Sequence, residues 1–155
     1  MLQIVPHRWY SWDFTISQGT AAIADLGVSC WRERGQVTVD GVAHRIHRER
    51  AMSGDFLLES PRGILARATK PSALRREFIV RHGSHTYSLR PRGWFRCVFL
   101  LLEDNREIGS IARVNAWSRR ASADLPSDLP VPLQAFLVWL TVLMWKREAN
   151  AASTS

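Results

Sequence analysis

Short apolar runs separated by turn residues fill the chain from Trp9 to Asn115. WYSWDFTI (9–16) predicts a strand, closed by the Gln18-Gly19 pair. QVTVDGVAHRIHRE (36–49) alternates on both sides of Asp40-Gly41, a strong hairpin signal. DFLLE (55–59) and ILARAT (64–69) flank a turn built on Pro61 and Gly63. EFIVR (77–81) and HTYSLR (85–90) flank His82-Gly83-Ser84. FRCVFLLLE (95–103) and EIGSIARV (107–114) flank Asp104-Asn105-Arg106. About ten strands joined by short hairpins predict a mainly β protein, a sandwich or a barrel.

After Asn115 the pattern changes. RRASADLPSDLPVP (119–132) is rich in Ser, Asp and Pro, and it predicts a connection that no longer continues the sheet. From there a helix is expected over about 132–147. Pro132 suits its first turn, and Lys146 and Arg147 suit its last. From Leu133 to Trp145 only Gln134 and Thr141 carry polar side-chain groups among apolar residues. That segment covers roughly 20 Å at ~1.5 Å per residue, short of a hydrocarbon layer of ~30 Å. The helix is therefore not expected to span a membrane. Phe136, Leu140 and Leu143 lie on one stripe, Leu137 on a second, Trp145 on a third, and Trp139 stands among them. A helix apolar on every side must be enclosed. One sheet surface cannot enclose it, whereas the lumen of a closed antiparallel β-barrel of about ten or more strands can. Residues 1–149 are read as one domain, with a frayed tail at 150–155.

GDFLLESPRGILARATKP, HTYSLRP, REIGSIARV and the closing LPVPLQAFLVWLTVLMWKR follow one order: a meander of hairpins, then a single hydrophobic helix. In this the chain resembles the tubby-like C-terminal superfamily, whose relatives include LURP-one-related proteins and phospholipid scramblases. The resemblance covers Ser11 to Arg147 and implies a twelve-stranded barrel closed around the helix. The strands missing from the count above are then expected within 20–34. Tubby proteins bind phosphoinositide heads through basic residues. No position here matches those residues, and no acidic segment matches the calcium-binding one of scramblases.

Composition adds a charge. Net charge is +7, with all but Lys70 and Lys146 of the cations being arginine. A basic surface attracts phosphate. Candidate contacts to an anionic lipid head are Lys70, Arg75 and Arg76 in KPSALRR, Arg90 and Arg92 in LRPRGWF beside Trp94, and Arg119 and Arg120 before the helix. Guanidinium next to an aromatic ring suits phosphate contact at an interface. The expected partner is an anionic phospholipid or a protein at the cytoplasmic membrane face. A scramblase-like or tail-anchored membrane protein and a nucleic-acid-binding β module stand as alternatives.

Catalytic signatures are missing: no G-x-S-x-G elbow, phosphate-binding loop or dinucleotide fingerprint occurs, so no enzyme and no cofactor are expected. His44 and His47 are an odd number of residues apart and point to opposite faces of a strand, so they do not chelate together. His82 and His85 flank a turn, with no cysteine or carboxylate expected beside them. No metal site is read from these pairs. Cys30 and Cys97 lie in apolar stretches and are expected to be buried free thiols. MLQIVPHRWY turns polar and aromatic at once, so no secretory leader is expected.

Overall fold

The computed structural model describes residues 1–29, 33–115 and 118–154, without the side chains of Phe95 and Arg96. Its strands are β1 (Leu2–Pro6), β2 (Phe14–Gln18), β3 (Ala21–Ser29), β4 (Arg34–Val39), β5 (Val42–Arg48) and β6 (Phe56–Ser60). They continue with β7 (Gly63–Thr69), β8 (Phe78–His82), β9 (His85–Arg92), β10 (Phe95–Glu103), β11 (Arg106–Arg113) and β12 (Ala121–Asp124). Each strand pairs antiparallel with its sequence neighbours, and β1 pairs with β12 to close a twelve-stranded barrel. One helix follows, α1 (Val131–Ser153).

The hairpins fall where the turn chemistry puts them. Asp40 and Gly41 both have positive φ (50° and 75°), as do Asp104 and Asn105 (50° and 60°). Two consecutive left-handed residues match the twist of the strands they join. Of the strands missing from the sequence count, β3 lies within 20–34 as expected, whereas β1 and β12 lie outside it. Two expectations fail. WYSW is not the start of a strand: residues 7–13 form a loop held by His7 N–H to Asp13 O (2.8 Å) and Ser11 N–H to Arg8 O (2.9 Å). Its aromatics satisfy strand propensity but have no ladder to join. Conversely, ASAD within the Ser/Asp/Pro-rich segment is β12, which pairs Ala121 and Ala123 with Ile4 and Leu2 of β1. Its prolines lie beyond the strand, so the ladder loses no donor.

The inner wall alternates in the expected way. Ile4, Phe14, Leu26, Phe56, Phe78, Leu89 and Phe99 are fully buried and belong to seven different strands. Small residues on β7 (Ala66, Ala68) and β12 (Ala121, Ala123) also face the core and leave room for the helix. α1 fills that room, with every residue from Leu133 to Lys146 buried. Each large apolar side chain enclosed this way contributes about 1.5–3 kcal/mol. Gln134 Nε2 donates to Leu129 O (2.6 Å) and Thr141 Oγ1 donates to Leu137 O (2.9 Å), so both buried polar groups are satisfied. Trp139 packs edge-on against Phe56 (5.1 Å between centroids) and against Gly35.

α1 extends past the expected end at 147. Glu148, Ala149, Ala151 and Ala152 are good helix formers, and they continue it to Ser153 as exposed turns. No helix among the described residues is long and apolar enough to cross a membrane. The wall itself is apolar inside and carries exposed Arg45, Arg81, Thr86 and Arg90 outside. Barrels that span a bilayer have the reverse arrangement.

Candidate functional site

The antiparallel meander gives the barrel two unlike rims. At the turn end lie the tight hairpins at 19–20, 40–41, 61–62, 83–84 and 104–105, and here α1 begins. At the loop end lie the connections 7–13, 49–55, 70–77 and 93–94 with Glu33, 114–115 and 118–120, and here α1 emerges. Charge follows this division. Asp40, Glu59, Glu103, Asp104, Glu107 and Asp124 flank the turns, with Arg62 and Arg106 as the cations among them. Arginines and both lysines gather at the loop end, where they outnumber Asp13, Glu33, Glu49, Asp55, Glu77 and Glu148.

The emerging helix is tied to that rim. Glu33 sits in a left-handed conformation (φ 47°) and receives both Arg147 Nε (2.9 Å to Oε1) and Nη2 (2.9 Å to Oε2). Arg48 Nη2 also donates to Glu33 Oε2. Burial works to raise the Glu33 pKa, but hydrogen bonds and charge from Arg147 and Arg48 outweigh it and hold the carboxyl below its usual range. Arg76 pairs with Glu148 on the next helical residue. Lys70 stands near Arg147 and Arg76. Desolvation, then those two cations, pulls its pKa down. Positive charge is thus concentrated beyond what the two carboxylates neutralise.

Rings line the same rim. Arg113 lies 4.6 Å above Trp145, and Arg119 lies 4.3 Å above Trp12 while its Nη1 donates to Ser11 O (3.0 Å). Lys146 Nζ is 5.7 Å from the same Trp12 ring. A recess of about 810 Å³ runs along β4 and β5, lined among others by Arg34, Arg45, His47, Arg48 and Arg50. Arg34 and Arg50 make no side-chain hydrogen bond or ion pair with the described residues, which leaves their guanidinium groups for solvent or ligand.

Six of the seven candidate cations stand at this rim: Lys70, Arg75 and Arg76 in one loop, Arg119 and Arg120 in another, and Arg92 beside the 93–94 connection. Arg90 is on the outer wall. Arg92 ends β9 and is drawn to Glu107 (3.6 Å). Sequence reading missed Glu33, Arg48 and Arg113. Glu33 is isolated from Arg147 by most of the chain, and only the fold joins them. Of the helix residues, Phe136, Leu137, Trp139, Leu140, Leu143 and Trp145 are all core.

His44 is buried and His47 faces out to Glu59 (2.8 Å), on opposite faces as expected. The second histidine pair needs correction. His82 and His85 face each other in register, and Glu103 does lie beside His85, with Oε1 2.7 Å from Nδ1. The antiparallel partner strand β10 brings that carboxylate in, which local sequence could not display. Among the described residues no group of three or more His, Cys, Asp or Glu could hold a metal ion. Cys97 is a free, half-buried thiol; Cys30 lies outside the described residues. No family model, curated protein or solved structure matches this chain.

Proposed function

We propose that this protein is a non-enzymatic module that docks its loop end on an anionic phospholipid surface. The single observation behind this is the imbalance of charge along the barrel axis: cations outnumber carboxylates at the loop end, and carboxylates outnumber cations at the turn end. A field so arranged steers one end of the molecule towards a negative surface. Exposed Arg34, Arg50, Arg75 and Arg120 are cations placed to meet lipid phosphates. The proposed kinship with the tubby-like superfamily belongs to the same reading, supported by a twelve-stranded barrel around a C-terminal helix. A cytoplasmic membrane face is the setting this reading implies.

Co-sedimentation with vesicles containing phosphatidylserine, measured across salt concentrations, tests it. Binding is expected at low salt, weakening as salt rises, and absent from phosphatidylcholine alone. Each cation near the surface contributes about 1 kcal/mol. The variant R50E/R75E/R120E therefore loses binding, while R62E/R81E, altered at the turn end and on the wall, keeps it. Failure of the wild-type protein to bind anionic vesicles even at low salt sinks the proposal.

A further inference from the structure

The large apolar side chains that stand in water are not scattered over the barrel. Trp9 is 85% exposed, Met52 97%, Leu74 94% and Trp94 97%, with Tyr10 and Val114 also more than half exposed. All six lie at the loop end, on the connections 7–13, 49–55, 70–77, 93–94 and 114–120. In barrel order these loops follow one another around the rim, except that the β3–β4 connection stands between 7–13 and 49–55. Each also carries or adjoins a cation: Arg8, Arg50, Arg75, Arg92 and Arg120. The remaining exposed apolar residues (Met1, Val5, Val42 and Ile64) include no aromatic, and three of them stand at the carboxylate-bearing turn end.

One such residue on a surface needs no explanation, but a ring of them on one rim does. Trp and Tyr favour the boundary between head groups and acyl chains, and Leu and Met favour the layer just below it. Arginines set behind the tips lie at phosphate depth when the tips are immersed. The rim's positive charge suits an anionic surface and opposes a second copy that meets it loop end to loop end.

We infer that the loop tips form a crown that penetrates an anionic bilayer, with Trp9, Met52, Leu74 and Trp94 entering the interface. Because the tips encircle the rim, the barrel axis then stands near the membrane normal, and the end of α1 faces the lipid. This rests on the docking reading and adds insertion to it.

The test compares wild type with M52A/L74A/W94A on vesicles of phosphatidylserine and phosphatidylcholine. These side chains touch solvent, so the thermal melt is expected to be unchanged. At low salt both proteins bind; at physiological salt the variant is expected to bind roughly tenfold or more weakly, having lost the salt-insensitive part. Brominated lipid is expected to quench wild-type tryptophan emission, and W9F/W94F to lose most of that quenching. If the triple variant binds like wild type at every salt and bromine quenches nothing, insertion is overturned while charge-driven docking stands. If neither protein binds at low salt, both readings fail together.

Discussion

Gly35 shows how one missing side chain lets the barrel accept its helix. A Cβ built there would lie 2.3 Å from Trp139 Nε1 and 2.8 Å from Cδ1. The indole therefore rests directly on the β4 backbone. Its N–H has no hydrogen-bond partner among the described residues, a buried donor whose desolvation costs about 1–3 kcal/mol. Aromatic packing against Phe56 and the closeness allowed by Gly35 offset it. Gly35→Ala is expected to destabilise the fold by about 1–3 kcal/mol through overpacking, read as a lower urea midpoint. Trp139→Phe in the same chain removes both the clash and the orphan donor. The pair is thus expected to be less destabilised than the sum of the single variants. Additive losses would show that the contact does not govern the site.

At the scale of elements, closure depends on a strand of four residues. β12 pairs on one side with β1 and on the other with β11, with Ser122 opposite both Gln3 and Ala112. A proline there removes a donor from a ladder with no free edge, so Ser122→Pro is expected to cost on the order of 3 kcal/mol in urea unfolding. A loss under about 0.5 kcal/mol would mean that the barrel does not need β12. The hairpins and the helix were legible in the sequence because each rests on local chemistry: Asp40-Gly41, Asp104-Asn105, and apolarity on all sides of α1. β1 and β12 were not, because LQIVP and ASAD are too short for periodicity to register. They become strands only by pairing with each other at the seam. The end of α1 is expected too early, at 147, for a related reason: the alanines that follow are helical by propensity, with no apolar stripe to announce it.

For the molecule as a whole, the cations recur at intervals along the chain and look dispersed. An antiparallel meander returns every second connection to the same end, and so it sorts those intervals into a rim. That sorting, and the union of Glu33 with Arg147, are products of topology that no local pattern encodes. The same geometry predicts how the two rims act on a charged surface. The nine-residue strands β3 and β10 are roughly 30 Å long at ~3.3 Å per residue, which even when tilted separates the rims by more than about 20 Å. Screening acts over about 8 Å at 0.15 M salt and about 30 Å at 0.01 M. Carboxylates at the turn end are thus hidden from a membrane at the loop end under physiological salt and felt at very low salt. Asp124→Lys with Asp128→Lys, the latter between β12 and α1 at the same end, is expected to change affinity for phosphatidylserine vesicles by less than about twofold at 0.15 M, and to strengthen it severalfold at 0.01 M. An equal, large gain at both salt concentrations would place the turn end in contact with lipid and reverse the orientation argued for the barrel.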